Sequence, residues 1–212
     1  MSRLCPHAHS PAAGKDPTCE AQAPDLSPGK RPANAGLRTV ATVDGIRYAL
    51  YKPRGFRWYY SGYPEYRKPT FKHAVRMFIE RLRGGYHVWY MLDAESGRVC
   101  GYLVVARGGR RLSCSSRQDI VIGPVWICPA LRGKGLGTKG IRAVLLDLGE
   151  RYRYAWEYIK THNIASIRSV EKNGFERFSF GRESRWFRTV WTAASGQDVI
   201  YRYVPANNGS MQ

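Results

Sequence analysis

Between residues 132 and 138 the chain reads Arg132-Gly133-Lys134-Gly135-Leu136-Gly137-Thr138, three glycines at alternate positions beside two cations. Side chains of these types at this spacing bind anions. Glycine lets the backbone approach a ligand with no Cβ in the way, and Arg132 and Lys134 add charge. The apolar positions that follow, Ile141, Val144, Leu145 and Leu148, recur at helical spacing, so the loop opens a helix. The first amides of a helix have no partners inside it and lie at its positive end, which offers donors to an anion. A pyrophosphate is the natural guest, with Leu136 and Thr138 in the same backbone cradle.

The element that must position this loop comes just before it. Val121-Ile122-Gly123-Pro124-Val125-Trp126-Ile127 is short, β-branched and aromatic, as a buried strand is, and Pro129 stops it. Strand, glycine loop and helix admit two other readings. Gly135-x-Gly137-x-x-Gly140 fits the dinucleotide fingerprint, with Glu157 at about the offset of a ribose contact. Several residues separate the strand from its first glycine, however, and the rest of the chain lacks the strand–helix alternation of a doubly wound sheet. The remaining reading is a purely structural glycine turn.

Arg132-x-x-Gly135-x-Gly137 resembles the acyl-CoA signature of the GNAT acetyltransferase superfamily, preceded as there by an apolar strand. Asn163-Ile-Ala-Ser166-Ile-Arg-Ser-Val170-Glu-Lys-Asn-Gly174-Phe175 resembles its second motif, an Asn-led helix closed by Gly-Phe. The resemblance covers residues 45–204. It implies an α/β (α+β) fold: one GNAT-like domain, a central, mostly antiparallel twisted sheet flanked by helices, with strands splayed at the acyl-CoA site. Acetyl-CoA is the implied co-substrate and an amine the usual acceptor. Asn163 joins the loop as a cofactor-binding residue, and Val125, Trp126 and Ile127 supply backbone contacts to the pantetheine arm, which adds to the open strand as an extra strand would.

The resemblance also carries expectations about chemistry. A backbone amide of the splayed strand, that of Ile127 or Cys128, polarises the thioester carbonyl. The family's usual base falls at Val121, which cannot accept a proton; Asp119, two residues earlier and on the same strand face, is the candidate base. The family's usual proton donor for the thiolate, seven residues after the Asn, falls at Val170. Ser166 matches the Asn-x-x-Ser form of the branch that includes ribosomal-protein N-terminal acetyltransferases, where a serine can serve the thiolate; Tyr201 and Tyr203 are further candidates. Direct transfer needs no acyl-enzyme, so Cys128 is not taken as a nucleophile.

Read from its start, residues 1–37 are rich in Pro, Ala, Ser, Lys and Gly and are expected to form a disordered tail, ahead of a domain at 38–205 and a short tail at 206–212. Thr39 to Val43 and Ile46 to Tyr51 read as a hairpin turning at Asp44-Gly45. Trp58, Tyr59 and Tyr60 and the loop from Ser61 to Pro69 make the expected acceptor wall or, alternatively, packed strand residues. Thr70 caps a helix with the stripe Phe71, Ala74, Val75, Phe78, Ile79 and Leu82, closed by Gly84-Gly85; His73 lies off that stripe. Tyr86 to Leu92 and Val99 to Ala106 form a second hairpin, and Gly108-Gly109-Arg110-Arg111 with Ser113 to Arg117 form a loop. Tyr154 to Ile159 is the next strand, and Phe175 to Phe180, Trp186 to Thr192 and Val199 to Val204 close the sheet.

Composition narrows the partners. The formal net charge of +18 is scattered rather than blocked, so nucleic acid is an allowed partner and not the favoured one. No stretch reads as a secretory core or a membrane span, which makes a soluble cytoplasmic protein the expectation, with no membrane partner. The five cysteines show no CxxC pair, and Cys5, His7, His9 and Cys19 match no metal spacing, so no metal is expected. The composite reading is an acetyl-CoA-dependent N-acetyltransferase acting on a small amine such as an amino sugar. A protein α-amine or lysine is the alternative acceptor, and a non-catalytic CoA-sensing or polyanion-binding module is the alternative class.

Overall fold

The computed structural model describes residues 36–53, 60, 75, 78–79, 85–109, 111–184 and 189–205. Residues 1–35 of the tail expected at 1–37, most of the aromatic acceptor stretch and residues 206–212 lie outside them; the last residue of that expected tail, Leu37, instead opens the first strand. Nine strands make one sheet: β1 Leu37–Val43, β2 Ile46–Tyr51, β3 Tyr86–Asp93, β4 Val99–Arg107, β5 Ile120–Ile127, β6 Ala155–Lys160, β7 Glu176–Glu183, β8 Val190–Ala193 and β9 Asp198–Tyr203. Their order is β1-β2-β3-β4-β5-β6-β9-β7-β8. Every pair is antiparallel except β5 with β6. The largely antiparallel sheet expected from sequence is therefore present, and the dinucleotide reading, which needs a parallel sheet, is overturned.

Local chemistry sets the turns. Asp44 and Gly45 both take positive φ, the pairing a two-residue hairpin turn requires. At the β3–β4 turn, Asp93 Oδ1 accepts from the Ser96 N–H at 2.8 Å and from its hydroxyl at 2.6 Å.

Two helices of the described chain, α1 Leu136–Leu148 and α2 Ile164–Glu171, cover one face of the sheet. Leu136, Ile141, Val144, Leu145 and Val170 pack there on Trp89, Met91, Leu103, Val105 and Ile122. Gly140 sets how close α1 comes: a Cβ there would stand 2.9 Å from both Leu103 Cδ1 and Met91 Cε. Arg38 pairs with Asp147 at 2.7 Å and Lys139 pairs with Asp44, tying α1 to the first hairpin. The other face carries two clusters, Ala49, Val88, Tyr90, Leu92, Tyr102 and Val104 towards β2–β4, and Leu112, Val121, Trp156, Val190 and Ile200 towards β5, β6 and β9.

The stripe expected to bury a helix after Thr70 behaves differently where it is described. Val75, Phe78 and Ile79 are helical, yet 40%, 50% and 40% exposed. The other members of the stripe, and His73, lie outside the described residues.

Candidate active site

Sheet geometry opens a slot at β5. Its parallel pairing with β6 covers only Ile120↔Ala155 and Val121↔Trp156, while its antiparallel pairing with β4 runs on to Gly101↔Ile127. Beyond Val121 the edge of β5 that would face β6 has no strand beside it among the described residues. A bulge lies between Ile122 and Val125, opposite β4 residue Val104.

Alternation along the ladder decides which backbone groups face that slot. The Cys128 N–H donates to Cys100 O at 2.9 Å, so Trp126, in the same register two residues earlier, also turns its backbone towards β4. Val125 and Ile127 turn theirs to the open edge, where Ile127 O accepts from Arg132 Nε at 3.2 Å. Of the expected backbone contacts, Val125 and Ile127 are thus available. Trp126 is not, because its backbone is turned to β4 and its ring stacks on Tyr102 at 5.7 Å. Cys128 also drops out as the amide for the thioester carbonyl.

The loop continues directly from this strand. Pro129–Leu131 forms one 3-10 turn, and Arg132 is extended after it. Gly133 and Gly135 take φ of +79° and +75°, with nothing within 4 Å of a Cβ at either, so both lie open in a conformation that side chains resist. Gly135 is the N-cap of α1, with no side-chain cap and no acidic residue in the first turn. Lys139 is the first amide to reach back within the helix, to Gly135 O at 3.0 Å; those of Leu136, Gly137 and Thr138 precede it. Arg132, Gly133, Lys134 and Gly135 are exposed, Gly137 and Thr138 half-buried. A cationic, carboxylate-free cradle with open amides fits a diphosphate.

The second motif locks onto the first. Asn163 Oδ1 accepts from the Ser166 N–H at 3.2 Å, so its side chain caps α2. Thr138 Oγ1 and Ser169 Oγ lie 3.0 Å apart, and Asn173 Nδ2 donates to Thr138 O at 3.0 Å and Ser169 O at 2.9 Å. Ser166 stands one turn before Ser169, on the side of α2 that faces α1. Val170 is fully buried. Tyr201 donates to Glu171 Oε1 at 2.9 Å, and Tyr203 packs on Phe175 at 5.4 Å.

Asp119 sits in the turn just ahead of β5 and is 3% exposed. Its Oδ2 accepts from the Ser116 N–H at 2.6 Å and from Trp156 Nε1 at 3.1 Å, which joins that turn to β6. Its Oδ1 is buried without a partner.

From sequence, Glu157 is legible only as a ribose contact. On β6 it is one residue past the last β5–β6 pair, and by alternation with Ala155 and Ile159 it leaves the strand on the helix face. Oε2 is buried without a partner, and burial pushes the carboxyl up to about 8. The available signal was a lone carboxylate in the apolar run from Ala155 to Ile159.

Of the aromatic acceptor wall only Tyr60 is described, buried, its N–H donating to Tyr90 Oη at 3.3 Å. A cavity of about 380 Å³ lies at the opposite end of β5 and α1, between Tyr86, His87, Trp89, Arg107, Ile120 and Arg151. Burial, then Lys52, Arg107 and Arg151, lower the His87 pKa. None of the expected site residues lines it. Among the described residues no three His, Cys, Asp or Glu side chains gather, and no helix is long and apolar enough to cross a membrane.

The family model for the acetyltransferase (GNAT) family matches residues 51–175. No curated protein sequence matches. Among solved structures, RimL, described as a ribosomal L7/L12 alpha-N-protein acetyltransferase, superposes with a TM-score of 0.53 at 15% identity, over 79% of this chain and 98% of that one. A ribosomal-protein-S5-alanine acetyltransferase from Vibrio fischeri gives 0.52 at 8% identity, over 76% and 94%. At such identities the structural likeness speaks for the fold, while the family match spans both the strand–loop–helix and the Asn-led helix. The chain belongs to the GNAT family of acetyltransferases.

Proposed function

We propose that this chain transfers an acetyl group directly from acetyl-CoA to the nitrogen of a small amine, such as an amino sugar. The observation that carries the reading is the continuity between the open β5 edge and the uncapped N-terminus of α1. A ligand with a diphosphate at one end and an amide-bearing arm at the other fits both. RimL has also been solved in complex with coenzyme A.

In this reading the amides of Gly133 and Leu136 to Thr138, with Arg132 and Lys134, hold the diphosphate. Val125 and Ile127 pair with the pantetheine amides. Asn163 fixes the start of α2 beside the loop. One outward amide of β5 polarises the thioester carbonyl. The amine nitrogen attacks the carbonyl carbon and forms the C–N bond; the C–S bond then breaks and its electron pair leaves with sulfur.

Two protons must move, one off nitrogen and one onto sulfur. Asp119 and Glu157 stand at the root of the slot on opposite faces, each with a buried, unpartnered oxygen. Asp119, on the face away from the helices, takes the amine proton. Glu157, on the helix face and protonated at neutral pH, protonates the departing sulfur. Ser166 offers its hydroxyl to the sulfur from α2.

A second acceptor class has its own support. RimL and the S5-alanine enzyme are named for protein amines, and Asn163-x-x-Ser166 is the form the resemblance associates with that branch. Thiol release from acetyl-CoA across amino sugars, polyamines and peptides with free α-amines tests both. Release with an amino sugar and mass-spectrometric detection of the N-acetyl product is expected; release with peptides alone would replace the first reading by the second, and CoA binding with no release from any amine would overturn both.

A further inference from the structure

Arg111 is buried, only 8% exposed. A guanidinium carries five N–H donors and a charge that does not titrate away. Among the described residues one of them has a partner: Nη1 donates to Gly123 O at 3.2 Å. None of the ion pairs among the described residues involves Arg111. None of its nitrogens is both sealed from solvent and unpartnered, so the unused part of the fork remains reachable from outside. An unpaired cation sunk this far costs folding free energy unless something compensates it, and one carbonyl is weak compensation.

The place is as informative as the charge. Gly123 lies on β5 two residues past the last pairing with β6, where the strands have parted. The neighbouring Leu112 packs with Val121 and Trp156 on the sheet face away from α1 and α2. The Arg111 carbonyl accepts from the Val190 N–H at 3.0 Å and the Ser113 N–H donates to Val190 O at 2.9 Å, so β8 holds this loop in position. Arg111 therefore stands beside β5 at the level where it leaves β6, on the side opposite the helices, the side left to an acceptor when the diphosphate loop holds the donor.

The geometry points to Arg111 as an anion-recognition residue for the acceptor, so that the amine acetylated belongs to a molecule that also carries a carboxylate or phosphate. This rests on the acetyl-transfer reading and narrows it. The outward amides of Val125 and Ile127 lie two and four residues beyond Gly123, across the bulge and so at most roughly 7–13 Å along the strand. The anionic group then sits several bonds from the amine, as in an amino sugar phosphate or a peptide with an acidic side chain near its free N-terminus. A planar, two-pronged donor suits either anion better than a lysine would.

Matched acceptors separate the sources: glucosamine 6-phosphate against glucosamine, and a tetrapeptide with Glu at its third position against its Gln counterpart. With the full chain and acetyl-CoA, kcat/KM for one charged member should exceed that of its neutral partner by about tenfold or more, mostly through KM. In Arg111→Gln the ratio should fall towards one while acetyl-CoA affinity is kept, and Arg111→Lys should restore part of it. Independently of turnover, inorganic phosphate should shift the Arg111 Nε–H resonance in the CoA-bound protein. Equal rates within both pairs, a preference that survives Arg111→Gln, or no response of that resonance to phosphate would overturn the assignment. Failure of the acetyl-transfer reading looks different, as no thiol release from any acceptor despite a normal phosphate response.

Discussion

Glu157 and Arg111 are a carboxyl and a guanidinium that have no counterion among the described residues, and each is a chemical statement because of burial. Nothing in their local sequence distinguishes them: Arg111 follows another arginine in a run that reads as loop, and Glu157 shows only as a charge among strand residues. The burial of Arg111 depends on β8 and that of Glu157 on β9, strands that arrive more than 40 residues after each of them. For Glu157 the pKa is raised, so the folded protein binds a proton that the unfolded chain releases. Its contribution to stability is fully present below the unfolded value near 4.5 and is lost as pH rises towards about 8. Glu157→Gln should therefore melt at the same temperature as the parent in acid and progressively higher from about pH 5 to about pH 9. Its kcat should fall by about a hundredfold, and the alkaline decline of the parent's kcat should vanish. Melting curves and a pH–rate profile check both; a variant with the parent's kcat would remove Glu157 from the chemistry.

At the scale of elements, the strand from Val121 to Ile127, the glycine loop, α1 and the Asn-led α2 were legible, because each is written in spacing and punctuation that act locally. What sequence left open was pairing. The insertion of β9 between β6 and β7 and the early parting of β5 from β6 are long-range choices. The bulge before Val125 decides which amides face the slot, and that made Val125 and Ile127, rather than Trp126 or Cys128, the outward pair. The stripe over Val75, Phe78 and Ile79 predicted a helix correctly where it is described, but not a buried one. Within α1 the closest approach of a glycine to the sheet is at Gly140. Gly140→Val would force a Cβ and two methyl groups against Leu103 and Met91, and denaturant unfolding should show a loss of roughly 1–3 kcal/mol. Unchanged stability would mean that α1 does not hold its place on the sheet through that contact.

For the molecule as a whole, charge and topology point the same way. An excess of 18 positive charges suits an enzyme whose donor carries phosphates and whose acceptor, by the Arg111 argument, is anionic as well. The cationic cavity beside His87 lies at the far end of β5 and gives the central claim an internal control. That claim is that the loop from Arg132 to Thr138 and the outward edge of β5 together hold coenzyme A. Its most direct measurement is an amide-resolved NMR titration of the protein, and of Gly135→Val, with acetyl-CoA. The account predicts saturable shifts at Val125, Ile127, Gly133 and Leu136 to Thr138, and their loss in the variant, whose side chain cannot adopt the left-handed φ of +75°. Shifts confined to the His87 cavity, or full affinity in Gly135→Val, would contradict it.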